Sequence, residues 1–273
     1  MSGLHRMVAC ATNRGLTKNY FKYFSFYEMT QADISATPKT LRKWRKFAPD
    51  HARFVVRVDS QIATKYQFKG EQAEQIWQKA MEHRDLLKSE LILIHTPSSF
   101  RPSTENISAL RDFIKSHQSE NFNIAFRADG LWEDTDTYFD LCQELQIVPV
   151  IDPINWPDDQ DMPFGNIIYW RILGRKGLGV RLSEFDLENI DEWSADAEGE
   201  VYIALTSPHM SFQGKYWASR LNQQTLAMAF NQDDDQDNDQ DDDQDDDQDD
   251  DQNDEDAWDE DLGDELDDDD VDG

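Results

Sequence analysis

The chain of 273 residues carries 57 Asp and Glu against 26 Lys and Arg, a formal charge of −31. The charge is unevenly spread: residues 233–273 hold 27 of the acids and no Lys or Arg, whereas the rest sets 30 acids against all 26 bases and carries only −4. That balance argues against a nucleic-acid-binding role for the whole chain, since the tail repels phosphate. The 2 cysteines exclude a disulfide framework, and no apolar run reaches signal-peptide or membrane-span length, so a cytoplasmic protein without membrane attachment is expected.

The first element is the short apolar run Met7–Ala11, a strand buried on both faces. A brief helical piece, Lys18–Phe24, leads to a second strand over Ser25–Thr30, which carries Glu28 in an apolar setting. Thr37-Pro38 pairs an N-cap residue with proline at the first helical position, and Leu41 and Trp44 give the following helix its apolar face. Its basic positions Lys39, Arg42, Lys43, Arg45 and Lys46 read as a solvated face, because the body as a whole is not basic. Strand three is Arg53–Asp59. Between Gln72 and Lys88, Ala73, Ile76, Trp77, Ala80, Met81 and Leu87 recur at three- and four-residue spacing and predict the clearest amphipathic helix.

Leu91–His95 is strand four, and Ser103 caps the next helix, with Ile107, Leu110 and Phe113 inward. Strand five opens at Asn123 and runs through Arg127 into Asp129, Gly130 and Trp132. Tyr138, Leu141, Cys142 and Leu145 then share one helical face, where Cys142 acts as a small apolar residue. Ile147–Ile151 is strand six, followed by a proline-rich loop from Asp152 to Gly165. Strand seven, Ile167–Leu173, carries Tyr169, Trp170 and Arg171; a helix over Glu184–Trp193 places Leu187, Ile190 and Trp193 inward. Strand eight is Glu200–Ala204, and a last helix turns Trp217, Leu221 and Met228 inward. Eight short strands separated by helical patterns predict an α/β (β/α)8 barrel of the TIM type, with one helix replaced by a loop.

The expected domain is residues 1–231, and residues 232–273 form an Asp/Gln-rich acidic tail that has almost nothing apolar to bury and is expected to stay disordered alone. Its Asp-x-Asp patterns lack the central glycine and terminal glutamate of a calcium loop. Trp258, Leu262 and Leu266 are spaced to form one apolar stripe on a partner.

The stretches YFKYFSFYEM, PKTLRKWRKFAPDHARFVVRV, LILIHTPSSF, AFRADGLW and YWRILG together resemble, in order, the YecE-like family of barrels, the domain of unknown function 72, over about residues 7–230. Glu28, Arg127, Trp132, Asp152, Arg171 and Gly174 keep that family's pattern. Arg57 stands where the family has Lys, His95 where it has Gln, Ala125 where it has Glu, Ala63-Thr64 where it has Thr-His, and Ala204-Leu205-Thr206 where it ends strand eight in an Asn pair. The loop after strand one is reduced to Thr12–Thr17. The resemblance implies a barrel and no particular reaction.

Barrel enzymes place their chemistry at the C-terminal ends of strands, where Glu28, His95, Arg127, Asp152 and Arg171 are expected, and Arg57 is counted with the binding residues. The arginines suit a phosphate or carboxylate, with His95 and Trp132 completing a binding set, and Glu28 and Asp152 are the candidates for acid/base work. The competing reading makes Glu28 and Asp152 structural counter-ions of the arginines. A metal site from His95, Asp152 and Glu28 is set aside for want of a spaced motif, and no cofactor motif is present. The expected partners are an anionic small molecule and, for the tail, a basic protein, with no nucleic acid and no membrane; a monomer is expected. Two functions stay open: a hydrolase- or lyase-type enzyme acting on an anion, or a non-catalytic barrel that associates through its tail.

Overall fold

The computed structural model describes residues 6–10, 16–132, 136–157, 162–163, 165–173, 182–195, 197–206 and 214–221. Eight strands form one parallel sheet: β1 (Arg6–Cys10), β2 (Phe26–Glu28), β3 (Arg53–Arg57), β4 (Leu91–Thr96), β5 (Asn123–Ala128), β6 (Val148–Ile151), β7 (Ile167–Ile172) and β8 (Glu200–Leu205). They pair in the order β1-β8-β7-β6-β5-β4-β3-β2, so each strand from β2 onward lies beside its successor and β8 returns to β1. The helices are α1 (Pro38–Phe47), α2 (Gln61–Thr64), α3 (Gly70–Leu87), α4 (Thr104–His117), α5 (Asp136–Glu144) and α6 (Glu184–Ala195), with a further helix over residues 214–221. This is the (β/α)8 barrel that the strand count predicts.

Local chemistry explains the boundaries. The Thr37 hydroxyl accepts from the Thr40 amide at 3.2 Å and Pro38 opens α1, while Ser103 caps α4 by accepting from the Asn106 amide at 3.2 Å. Helix α3 stops at Lys88, which adopts a left-handed conformation with φ 54°. The piece expected as helix over Lys18–Phe24 is a tighter 3-10 turn over Lys18–Lys22, and α2 is too short to show a period in sequence. After β6 the described chain makes only a 3-10 turn, Pro153–Asn155. No helix among the described residues is long and apolar enough to cross a membrane. Most of the shortened first loop, part of the loop ending at Gly165, Gly174, Met228 and the whole acidic tail with Trp258, Leu262 and Leu266 lie outside the described residues, as does the expected boundary at 231/232.

Two seams lack a full backbone ladder, and tyrosine hydroxyls replace it. Between β1 and β2, the Ser25 amide donates to the Val8 carbonyl at 2.9 Å, and the Ser25 hydroxyl accepts from the Val8 amide at 2.8 Å. The Tyr20 hydroxyl accepts from the Cys10 amide at 3.0 Å and donates to the Phe26 carbonyl at 2.9 Å. Between β5 and β6, Pro149 has no N–H to offer; there the Tyr138 hydroxyl donates to the Phe126 carbonyl at 2.5 Å and accepts from the Val150 amide at 2.9 Å. Buried main-chain groups thus keep partners where the ladder cannot supply them.

Alternation along the strands separates two cores. Met7, Ala9, Phe26, Val55, Leu93, Ala125, Val150, Tyr169 and Tyr202 belong to a cluster inside the barrel, whereas Val8, Val56, Ile92, Phe126 and Trp170 pack outward against the helices.

Candidate functional site

The same alternation places the candidate residues. Glu28, Arg57, His95, Arg127, Asp152 and Arg171 each lie two residues beyond an inward apolar residue, namely Phe26, Val55, Leu93, Ala125, Val150 and Tyr169. Six successive strands, β2 to β7, therefore bring a polar group to the same end of the barrel, one layer above the apolar interior. His95 and Arg127 are direct neighbours in the β4–β5 register. The structure brings five of these groups into one network of two bonded sets that influence each other electrostatically.

One half of that network is built on Glu28, which is 3 % exposed. Its Oε1 accepts from Arg171 Nε at 3.1 Å and lies 3.1 Å from Nη2, and its Oε2 accepts from the Tyr169 hydroxyl. Both carboxylate oxygens are thus engaged, by donors two residues apart on β7. Burial opposes the Arg171 charge, but Glu28 together with Tyr169 and Asp129 outweighs it and raises the guanidinium's hold on its proton. Burial and the neighbouring Glu28 carboxylate push the Tyr169 hydroxyl well above the usual tyrosine range, so it keeps its proton and donates.

The other half is centred on His95. Arg57 Nη2 lies 2.8 Å from His95 Nδ1, and His95 Nε2 lies 2.9 Å from Asp129 Oδ2. A guanidinium has only donors, so Nδ1 must accept and the imidazole proton resides on Nε2, facing Asp129. Burial, with the charges of Arg57 and Arg171, lowers the proton affinity of His95 below the usual histidine value against the opposing pull of Asp129. Burial tends to raise the Asp129 carboxyl, but the His95 hydrogen bond and the charges of His95, Arg127 and Arg171 hold it below the carboxylate range. Arg127 Nε is 3.2 Å from Asp129 Oδ1, close enough for an ion pair yet misaligned, so this buried N–H has no hydrogen-bond partner among the described residues. Arg57 Nε is also buried without one.

Asp152 and Trp132 are placed differently. Asp152 accepts from the Ile154 amide at 3.2 Å, Asn155 Nδ2 at 2.8 Å and the Leu173 amide at 3.1 Å, tying the end of β6 to β7. Burial raises its carboxyl above the ordinary value despite those donors and Arg127. Trp132 is wholly buried, donates from Nε1 to the Phe100 carbonyl at 2.5 Å and stacks on the Phe100 ring. It lies in the outer core rather than in the network.

Two members of the network, Asp129 and Tyr169, are absent from the residues expected on sequence. Parity was the available signal, because Asp129 is two residues beyond Arg127 and Tyr169 two before Arg171. Among the described residues, no group of three His, Cys, Asp or Glu side chains is gathered as metal ligands. A roomier cavity runs along the outer faces of β6 and β7, past Phe139, Cys142, Gln143 and Trp170, but none of the side chains lining it is charged. The charged side chains gather at the mouth and not along that cavity.

A pH dependence follows. An unfolded histidine takes up its proton as pH falls through about 6.5, whereas buried His95 does so only at lower pH, so acidification over that window favours unfolding. The depressed Asp129 carboxyl has the same sign at still lower pH. Denaturant melts from pH 8 to pH 5 should therefore show falling stability, with a smaller fall in His95→Gln; buried His83, whose proton affinity burial also lowers, supplies part of the remainder. An undiminished fall in that variant would contradict a neutral His95.

The fold is shared with solved structures at low sequence identity. One, a DUF72 family protein from Enterococcus faecalis V583, is 15% identical with a TM-score of 0.61, covering 80% of this chain and 94% of its own. Another, a DUF72 family protein from Thermotoga maritima MSB8, is 14% identical with a TM-score of 0.60, covering 81% and 99%. No curated protein matches the chain. The family described as "Protein of unknown function DUF72" matches residues 24–243, most of the chain, and this protein belongs to that family.

Proposed function

We propose that the mouth of the barrel binds a phosphorylated or otherwise anionic small molecule between Arg57, Arg127 and Arg171, and that acid/base chemistry is the reaction class it is equipped for. The observation that carries this reading is the pair of buried guanidinium Nε–H groups, on Arg57 and Arg127, that have no hydrogen-bond acceptor among the described residues. A buried donor without a partner costs about 1 to 3 kcal/mol, and an anion bridging the arginines would recover that cost. A thermal-shift screen of the full chain against sulfate, phosphate, sugar phosphates and carboxylates tests it. Stabilisation by one class is expected, and Arg127→Met should weaken that binding by about 1 to 3 kcal/mol. No stabilisation by any of these anions would remove the reading.

A second reading is favoured by the 27 acids and absent bases of residues 233–273. In it residues 1–231 are a barrel domain and residues 232–273 a disordered tail that associates with a basic protein. Exposed charge is screened beyond about 8 Å at physiological salt, so such association should weaken steeply as salt is raised and vanish when the tail is removed. Binding to a basic protein that is indifferent to both changes would dismiss it.

A further inference from the structure

The carboxylates of the mouth are poorly placed to exchange protons. Both Glu28 oxygens are engaged by Tyr169 and Arg171, and Asp152 is occupied by three donors. His95 differs. Asp129 orients the ring by accepting its Nε2 proton, which leaves the basic lone pair on Nδ1 under a single cover, Arg57 Nη2 at 2.8 Å. The charged groups facing the ring are Arg57 from β3, Arg127 and Asp129 from β5 and its end, and Arg171 from β7, with Glu28 of β2 behind Arg171. The cover is weakly held. Arg171 has a buried carboxylate partner, whereas among the described residues Arg57 bonds only a neutral imidazole and leaves its buried Nε unpaired.

We propose that His95 is the proton acceptor of this mouth and that Arg57 is its removable cover. An anion seated among the arginines offers Arg57 a stronger acceptor than a neutral imidazole, and the guanidinium swings to it and uncovers Nδ1. The exposed lone pair then takes a proton from an O–H or C–H of the ligand adjacent to its anionic group. The X–H bond breaks, an N–H bond forms on Nδ1, the electron pair stays on the ligand beside the arginines, and the imidazolium remains paired with Asp129. The inference rests on the anion reading and deepens it: the substrate class is a small phosphorylated or carboxylated molecule with an acidic hydrogen next to the anionic group. Glu28 is then a positioning residue that holds Arg171.

Sulfate is the probe, because it does not titrate near neutral pH. Calorimetric titration of the full chain with sulfate, in two buffers of different ionisation enthalpy near pH 7, should show proton uptake on binding, and His95→Gln should bind sulfate without it. Sulfate binding with no uptake, or uptake that survives in His95→Gln, overturns the proposal and leaves the anion site standing. Absence of sulfate binding instead counts against the anion reading. A second measurement needs no ligand: the ring resonances of His95 followed by NMR against pH in Arg57→Met. Loss of the cover should raise the His95 titration midpoint by about one unit or more. An unmoved midpoint shows that Arg57 does not govern Nδ1 and overturns the proposal whether or not anions bind.

Discussion

Arg171→Ala is expected to lower folding stability by about 3 to 5 kcal/mol, the range found when one partner of a buried ion pair is removed. The side chains of Arg171 and Glu28 are 12 % and 2 % exposed, so water cannot take over the role of the guanidinium. Removing it leaves the Glu28 carboxylate inside the barrel with the Tyr169 hydroxyl as its remaining donor among the contacts described here. The second carboxylate oxygen would lose its charge-assisted bonds. The origin of the loss can be checked by relieving the stranded charge: Glu28→Gln in the Arg171→Met background should recover a large part of the stability, since an uncharged pair of similar volume has little to desolvate. Urea melts of the single and double variants measure this directly. A loss below about 1 kcal/mol in Arg171→Ala would show that the pair behaves as a solvent-screened surface bridge. In the structure Glu28 is paired with Arg171, so the anion proposal leans most on Arg57 and Arg127, whose Nε groups lack acceptors among the described residues.

What could be read from the sequence follows from what periodicity encodes. The strands were visible because each is a short apolar run, and Leu91–Thr96 and Ile167–Ile172 are buried almost throughout. Helix α3 was visible because Trp77, Ala80 and Leu87 repeat on one face. Parity then carried further: polar residues ending apolar strands, such as Glu28 and Arg171, had to sit at the barrel mouth once eight strands closed. The pairing itself was out of reach. Glu28 meets Arg171 across 143 positions of sequence, and Arg57 meets His95 across 38, contacts that depend on the width of the barrel and not on any local pattern. Asp129 keeps the parity of Arg127 but lies one residue past the end of its strand, so apolar periodicity, which marks the strand itself, does not single it out. Apart from the turn over Lys18–Lys22, the short 3-10 turns and α2 leave no mark in the sequence for a related reason, as one turn of helix holds too few residues to show a period.

Trp132 shows where residue type misleads, and its replacement carries the second large effect. An aromatic close behind a strand-end arginine reads as a ligand platform, yet here the chain turns away from the mouth before reaching it. Gly130 makes that turn at φ +76°, and a Cβ there would come within 2.7 Å of the Ser98 Cβ, so the chain at this point requires glycine. The turn delivers Trp132 to the outer core, where it meets Phe100 and, edge-on, Phe126, with no exposed surface. Trp132→Ala should accordingly cost about 3 to 5 kcal/mol, the usual loss when a large buried aromatic is truncated. It should leave the Phe100 carbonyl without its indole donor, adding to that loss. Trp132→Phe keeps most of the packing and loses the N–H, so it should fall between the two. Neither variant should change anion affinity when measured on the folded fraction, because the indole touches neither Arg57, Arg127 nor His95 in the contacts described. Denaturant melts paired with sulfate titration separate packing from binding: a Trp132→Ala protein that keeps its stability and loses its anion response would return Trp132 to the binding site.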